Sequence, residues 1–211
     1  MLDEKTLREF INELGSNSPA PGGGSVAALG ASLASALGAM VFSLTVGKKV
    51  YNEYSNEDKM MVDKSLEQCL KYNDKFLDLM NKDTEVFLVL MSAFKLPKET
   101  MEEKNARSAK IQEGYQKALE IPLSVAEESY KIYEYVNIAA KLGNKNAISD
   151  AGVSALMLQA SIESAILNVK INLSSIKNET YKEEISTRCK QLVEQGRLKR
   201  DEILSIVNEA M

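Results

Sequence analysis

From Pro19 to Gly47 the chain carries no charged side chain. Within that run Leu29, Leu33, Leu37 and Val41 recur at every fourth position. So do Gly30, Ala34 and Gly38, and so do Ala27, Ala31, Ser35 and Ala39. Such a repeat is that of a helix, predicted from about Ser25 to Val46. Its faces are small or apolar nearly all round, which suits the centre of a bundle or a subunit interface. The run is long enough to cross a bilayer, but its wealth of Ala, Gly and Ser favours protein neighbours over lipid.

The helix opens from Pro19-Ala20-Pro21-Gly22-Gly23-Gly24-Ser25. Prolines hold the approach extended, and the glycines allow something to crowd the backbone. Ser25 is placed to cap the helix, whose first N–H groups then point into the loop. That junction suits an anionic or carbonyl-bearing ligand, or simply a rigid turn between closely packed helices. Lys48 lies too far along for a phosphate loop.

Elsewhere the pattern is helical throughout. Thr6-Leu7-Arg8-Glu9 is a capping box for a helix over 6–14, ended near Gly15. Tyr51 to Asn56 reads as a polar connection, and Glu57 to Phe94 as one long helix or two nearly collinear ones. Thr100-Met101-Glu102-Glu103 opens another helix towards Leu142-Gly143, with a kink expected at Pro122. After a polar loop from Asn144, Ser149 or Asp150 caps a helix to about Leu173, and a charged amphipathic helix from Glu179 to about Glu209 closes the chain. The expected fold class is all-α, a single domain over 1–211 built as a bundle of about six helices.

No histidine is present, so no imidazole can serve as base or metal ligand. Cys69 and Cys189 stand alone without zinc-type spacing, and no metal site is expected. Two distant cysteines suit a reducing compartment, and the start Met1-Leu2-Asp3-Glu4-Lys5 lacks the features of a signal peptide; a cytoplasmic location is expected. The net charge of -4 argues against a nucleic-acid partner, and no membrane partner is expected.

Four groups of residues stand out. Asp150, Ser154, Ser161, Ser164, Asn168 and Asn172 share one face of an otherwise apolar helix. Such a stripe is either a hydrogen-bonded seam between helices or subunits, or the wall of a cleft for a polar ligand. Lys48 and Lys49 complement a helix C-terminus. Asp83 lies among apolar neighbours, as a surface carboxylate or a base. Lys98, Lys104 and Arg107 form a basic patch or a charged helix start.

Three segments carry a resemblance. They are PAPGGGSVAALGASLASALGAMVFSLTVGKK, LPKETMEEKNAR and GNKNAISDAGVSALMLQASIESAILNVKINL. Together, and in this order, the chain resembles the formiminotetrahydrofolate cyclodeaminase / methenyltetrahydrofolate cyclohydrolase family. The resemblance implies an all-helical homodimer acting on the carbon that bridges nitrogen-5 and nitrogen-10 of tetrahydrofolate, with the folate as substrate and no further cofactor. It places Gly22, Gly23, Gly24, Ser25, Lys48, Asp83, Lys98, Arg107 and the loop holding Asn144, Asn146, Ser149 and Asp150 in the shared core. On that basis Asp150 is the expected base and Lys48 its proton donor, with Asp83 the next choice. The glycine loop, Ser164, Asn168 and Asn172 would hold the pterin, Asn144 and Asn146 would line the site, and Lys98 and Arg107 would meet the glutamate tail. Hydrolysis of 5,10-methenyltetrahydrofolate to 10-formyltetrahydrofolate is the expected reaction. The alternatives are the cyclodeaminase reaction, which releases ammonia, and a non-catalytic folate-binding dimer.

Overall fold

A computed structural model describes residues 1–211. The chain forms α1 (Leu7–Leu14), α2 (Gly23–Ser43), α3 (Lys49–Glu53), α4 (Asn56–Ala93), α5 (Met101–Leu142), α6 (Ile148–Leu173) and α7 (Glu179–Ala210). Single 3-10 turns occupy Leu2–Glu4 and Lys145–Ala147, and there is no strand. The all-α expectation holds, with seven helices where the sequence suggested about six. The extra one is α3, in what reads as a polar connection. One turn of helix there stacks Tyr51 edge-on against Tyr54, and the Tyr51 hydroxyl donates to Asp63.

Capping boxes at Thr6 and Thr100 start α1 and α5 as their sequences predict, each closed by the glutamate three residues on. α5 continues through the buried Pro122 to Leu142. Two expected caps are not caps. α2 begins at Gly23 behind Gly22, which leaves Ser25 inside the first turn. α6 begins at Ile148 directly from a 3-10 turn, so Ser149 and Asp150 lie in its first turn, and the side chain that caps the preceding turn is Asn144.

The long helices run alternately up and down. Ser32 on α2 faces Asn73 on α4, and Leu90 on α4 faces Gly114 on α5. Tyr133 on α5 donates to the Ala155 carbonyl of α6, and Gly152 on α6 faces Val207 on α7. The Ser154 hydroxyl donates to the Ala34 carbonyl over 2.7 Å and so joins α6 to α2. Hence α2, α4, α5 and α6 enclose one core, and α7 covers the α5–α6 side. Gly38, on the helix that the sequence offered to a bundle centre or a subunit interface, faces the chain's own core: a Cβ there would meet Cys69 Sγ at 3.2 Å and Val136 Cγ2 at 3.8 Å. Both cysteines are free and buried, and burial pushes the Cys69 thiol up to about 12.

Gly23–Ser43 and Lys145–Leu173 are each long and apolar enough to cross a membrane. More than half of each is buried inside the bundle, which accounts for much of that apolarity. The remainder forms a stripe on adjoining faces of α2 and α6: Val26, Leu33, Met40 and Leu44 beside Val153, Leu156, Leu167 and Ile171 are all exposed, Leu33 by 50% and Leu156 by 49%.

Candidate active site

The N-terminus of α2 is the chemical focus, though its own chain fills the slot that the sequence offered to a ligand. Asp83 of α4 lays its carboxylate against Gly24 so closely that a Cβ there would overlap it. This is the close approach that requires glycine. The Ser25 hydroxyl donates to Asp83 Oδ2 over 2.9 Å, and the Ser25 backbone N–H also serves the carboxylate. Ser25 therefore ties the helix start to α4. The positive end of α2 receives an internal anion.

Two opposing influences act on Asp83. Burial disfavours its charge, while the hydrogen bonds from Ser25 favour it. Burial prevails, and the carboxyl is held above its usual value. Such a group is a base or acid in waiting, because it exchanges a proton closer to neutrality than an exposed carboxylate does.

Beside it lies a cleft of about 330 Å³ between the glycine loop, α4, α5 and α6. Gly22, Gly23, Gly24, Asp83, Asn168 and Asn172 line it, and the Asn168 amide lies against Gly23, where a Cβ would meet its nitrogen at 3.1 Å. Phe87, Leu90, Met91, Tyr115 and Ile171 supply apolar walls. Asn168 donates to the Ser164 carbonyl (2.9 Å), and Asn172 to the Ala118 and Asn168 carbonyls (3.1 and 2.9 Å). Asn172 spends both amide donors on backbone, whereas Asn168 keeps one, so the pair offers a ligand two acceptor oxygens Oδ1 and one N–H. No lysine or arginine lines this cleft. The cleft combines acceptor oxygens, the hydroxyls of Thr84 and Tyr115 and one half-buried carboxylate, and without a cation in its lining it suits a planar polar ligand or one bearing positive charge.

The polar stripe of α6 thus divides. Ser154 and Ser161 are buried, with Ser154 bonded to α2 and Ser161 packed against Gly30. Asn168 and Asn172 line the cleft, and Ser164 lies one turn below, its carbonyl holding Asn168. Ser154 and Ser161 follow the seam reading, whereas Asn168 and Asn172 form part of a cleft wall. Asp150 stands 18 residues before Asn168, about 27 Å along the helix. Lys48 lies beyond the far end of α2, whose 21 residues span about 30 Å. Asn144 binds that far end, its N–H donating to Thr45 Oγ1 (2.8 Å) and its side chain to the Leu44 carbonyl (2.9 Å). Its Oδ1 accepts from the Asn146 N–H. Hence Lys48, Asn144, Asn146 and Asp150 gather at one end of the bundle, and the cleft opens at the other.

Lys98 and Arg107 stand on the cleft side, near the start of α5. Lys98 is exposed, and Arg107 donates through Nη2 to the Phe94 carbonyl over 3.2 Å. Nothing in the sequence singles out the apolar lining of Phe87, Leu90, Met91 and Tyr115, because at helical spacing such residues read as core. One local signal was present: Gly114, next to Tyr115, lets α4 and α5 approach at Leu90.

The formiminotransferase-cyclodeaminase family model matches residues 6–191. The methenyltetrahydrofolate cyclohydrolase of Methylorubrum extorquens is 38% identical over 194 residues, covering 91% of this chain and 89% of that protein. The formimidoyltransferase-cyclodeaminase of Gallus gallus is 35% identical over 196 residues, but this chain spans only 36% of its length. The crystal structure of formiminotetrahydrofolate cyclodeaminase from Thermotoga maritima matches all of this chain and 97% of its own, at a TM-score of 0.79 and 25% identity.

Proposed function

Because the chain belongs to the formiminotransferase-cyclodeaminase family, whose named relatives are enzymes, we propose that it hydrolyses 5,10-methenyltetrahydrofolate to 10-formyltetrahydrofolate in the cleft beside Gly24. One observation supports this most: a half-buried carboxylate with a raised proton affinity stands in a cleft lined by polar side chains and no cation. The methenyl substrate is a cation with a planar, N–H-bearing pterin, complementary to such a lining. Its bridging carbon is already electrophilic, so the scheme calls on no metal and no bound cofactor.

In the scheme Asp83 accepts a proton as water adds to the bridging carbon. The tetrahedral adduct then opens as nitrogen-5 takes that proton back from Asp83 and the hydroxyl proton leaves to solvent, so one proton is released per turnover. Asn168 and Asn172 orient the pterin edge, and the apolar walls keep stray water away. Asp83 replaces Asp150 as the base because it alone of the two lies in the cleft. Accelerated loss of the methenyl absorbance on adding protein tests the reading, and its absence would overturn it. Ammonia release from formiminotetrahydrofolate marks the cyclodeaminase alternative, which the named relatives also support.

A homodimer belongs to this proposal. The exposed apolar residues of α2 and α6 would supply the self-complementary patch that an isologous interface requires. A second copy packed with its α2 antiparallel to the first brings its Lys48–Asp150 end beside this cleft, which is how those residues reach the substrate. The free, buried thiols of Cys69 and Cys189 support a cytoplasmic setting.

A further inference from the structure

We propose that Ser25 and Thr84 form a relay that carries the proton released in each turnover away from Asp83, into a groove lined by the N-terminal turn; this rests on the cyclohydrolase reading above. The need for such a route follows from the site. A folate seated in the cleft would cover the open side of Asp83, and the rest of that carboxyl is packed against Gly24 and Ser25. Without a second way out, the proton would wait for product to leave.

Ser25 is wholly buried, and its hydroxyl meets two side-chain oxygens, Asp83 Oδ2 at 2.9 Å and Thr84 Oγ1 at 3.4 Å. Thr84 is placed unusually for a helical hydroxyl. Ser35, Ser65 and Ser129 each donate to the carbonyl four residues before them, as such side chains commonly do inside helices. Thr84 makes no such bond, and its Oγ1 turns to Ser25 instead. Closing that gap to an ordinary hydroxyl contact of about 2.8 Å takes roughly half an ångström, within thermal side-chain motion.

The far end of the relay reaches water. Thr84 and Ala20 line both the cleft and a second groove of about 250 Å³. Asn81 holds the N-terminal turn beside that groove, accepting from the Leu2 N–H and donating to Asp3 Oδ1, each over 2.7 Å. Glu85 lines the same groove and is exposed, so a proton reaching Thr84 meets water and a carboxylate.

The steps balance. As the bond from the bridging carbon to nitrogen-5 breaks, its electron pair stays with nitrogen-5, which takes the proton from Asp83. The O–H pair of the adduct becomes the second carbon–oxygen bond, and the proton it releases passes to Asp83, now a carboxylate again. Asp83 Oδ2 then gives a proton to Ser25 Oγ, Ser25 gives its own to Thr84 Oγ1, and Thr84 gives its own to water in the groove. Rotation of both hydroxyls restores the start. Neither residue touches the reacting carbon; both act through Asp83.

The test is a single turnover with enzyme in excess, following methenyl absorbance and, with an indicator dye, proton release. Thr84→Val removes the hydroxyl, nearly keeps the shape and leaves the Ser25–Asp83 bond in place, so its melting temperature should match the wild type. In the wild type, proton release should keep pace with methenyl loss. In Thr84→Val it should lag at least about tenfold behind, and Thr84→Ser, which restores a hydroxyl, should remove the lag. A merely structural defect would slow both signals together. A Thr84→Val enzyme without the lag, or a lag that Thr84→Ser does not relieve, would overturn the relay and leave the reaction standing. A wild type that clears no methenyl absorbance would overturn both.

Discussion

Asp83 is a point at which the folded protein gives up stability as pH rises. Its carboxyl has a higher proton affinity folded than unfolded, because burial outweighs the help of Ser25. As pH rises through that raised value, the folded state must ionise a group that burial disfavours, and stability falls. Asp83→Asn removes this cost and keeps an acceptor for the Ser25 hydroxyl. Its melting temperature should match the wild type at acidic pH and exceed it increasingly as pH rises through the raised value, then level off. Turnover should fall about 100-fold or more, and wild-type activity should rise with pH across the same window. A melting gap that stays flat with pH, or an active asparagine variant, would remove Asp83 from the role of base. The sequence marked Gly22, Gly23, Gly24 and Ser25 as a place of close approach. It did not reveal that the approaching group is a carboxylate 58 positions away, since periodicity within a helix says nothing of which neighbour it meets.

At the scale of the element, α6 is two half-helices with different tasks. Ser154→Ala removes a buried bond to the Ala34 carbonyl and should cost about 1–2 kcal/mol of stability, with folate affinity unchanged in the folded protein. Asn168→Leu replaces a cleft acceptor with apolar bulk, and should weaken folate binding at least tenfold with a smaller effect on melting. The reverse pattern in calorimetry and thermal unfolding would reassign the halves. The helical extents were legible because a period near 3.6 persists over many turns, and Thr6 and Thr100 announced their helices through capping boxes. Ser25 and Asp150 misled for one reason: serine and aspartate are also good first-turn residues, so they look alike at a cap and two or three residues inside it.

For the whole molecule, the distance between the two ends of α2 is the decisive quantity. In the proposed antiparallel dimer each cleft would draw Asp83 from one copy and Lys48 from the other. Leu33→Glu with Leu156→Glu should yield monomers by sedimentation, since two buried charges would face each other across the symmetry axis. Asp83→Asn and Lys48→Ala homodimers should each be nearly inactive. Dimers re-formed from an equal mixture should recover roughly one quarter of wild-type activity, from the one intact cleft in each hybrid. No recovery would confine each site to a single copy. The buried Cys69, wedged behind Gly38 between α2 and α4, carries a last consequence. Its thiol is hidden and almost never ionised at neutral pH, so a thiol-specific dye reacts only when the two helices part. The rate of dye uptake is then a stopwatch on the breathing of the same helix pair that clasps Asp83 at its other end, and saturating folate should slow it.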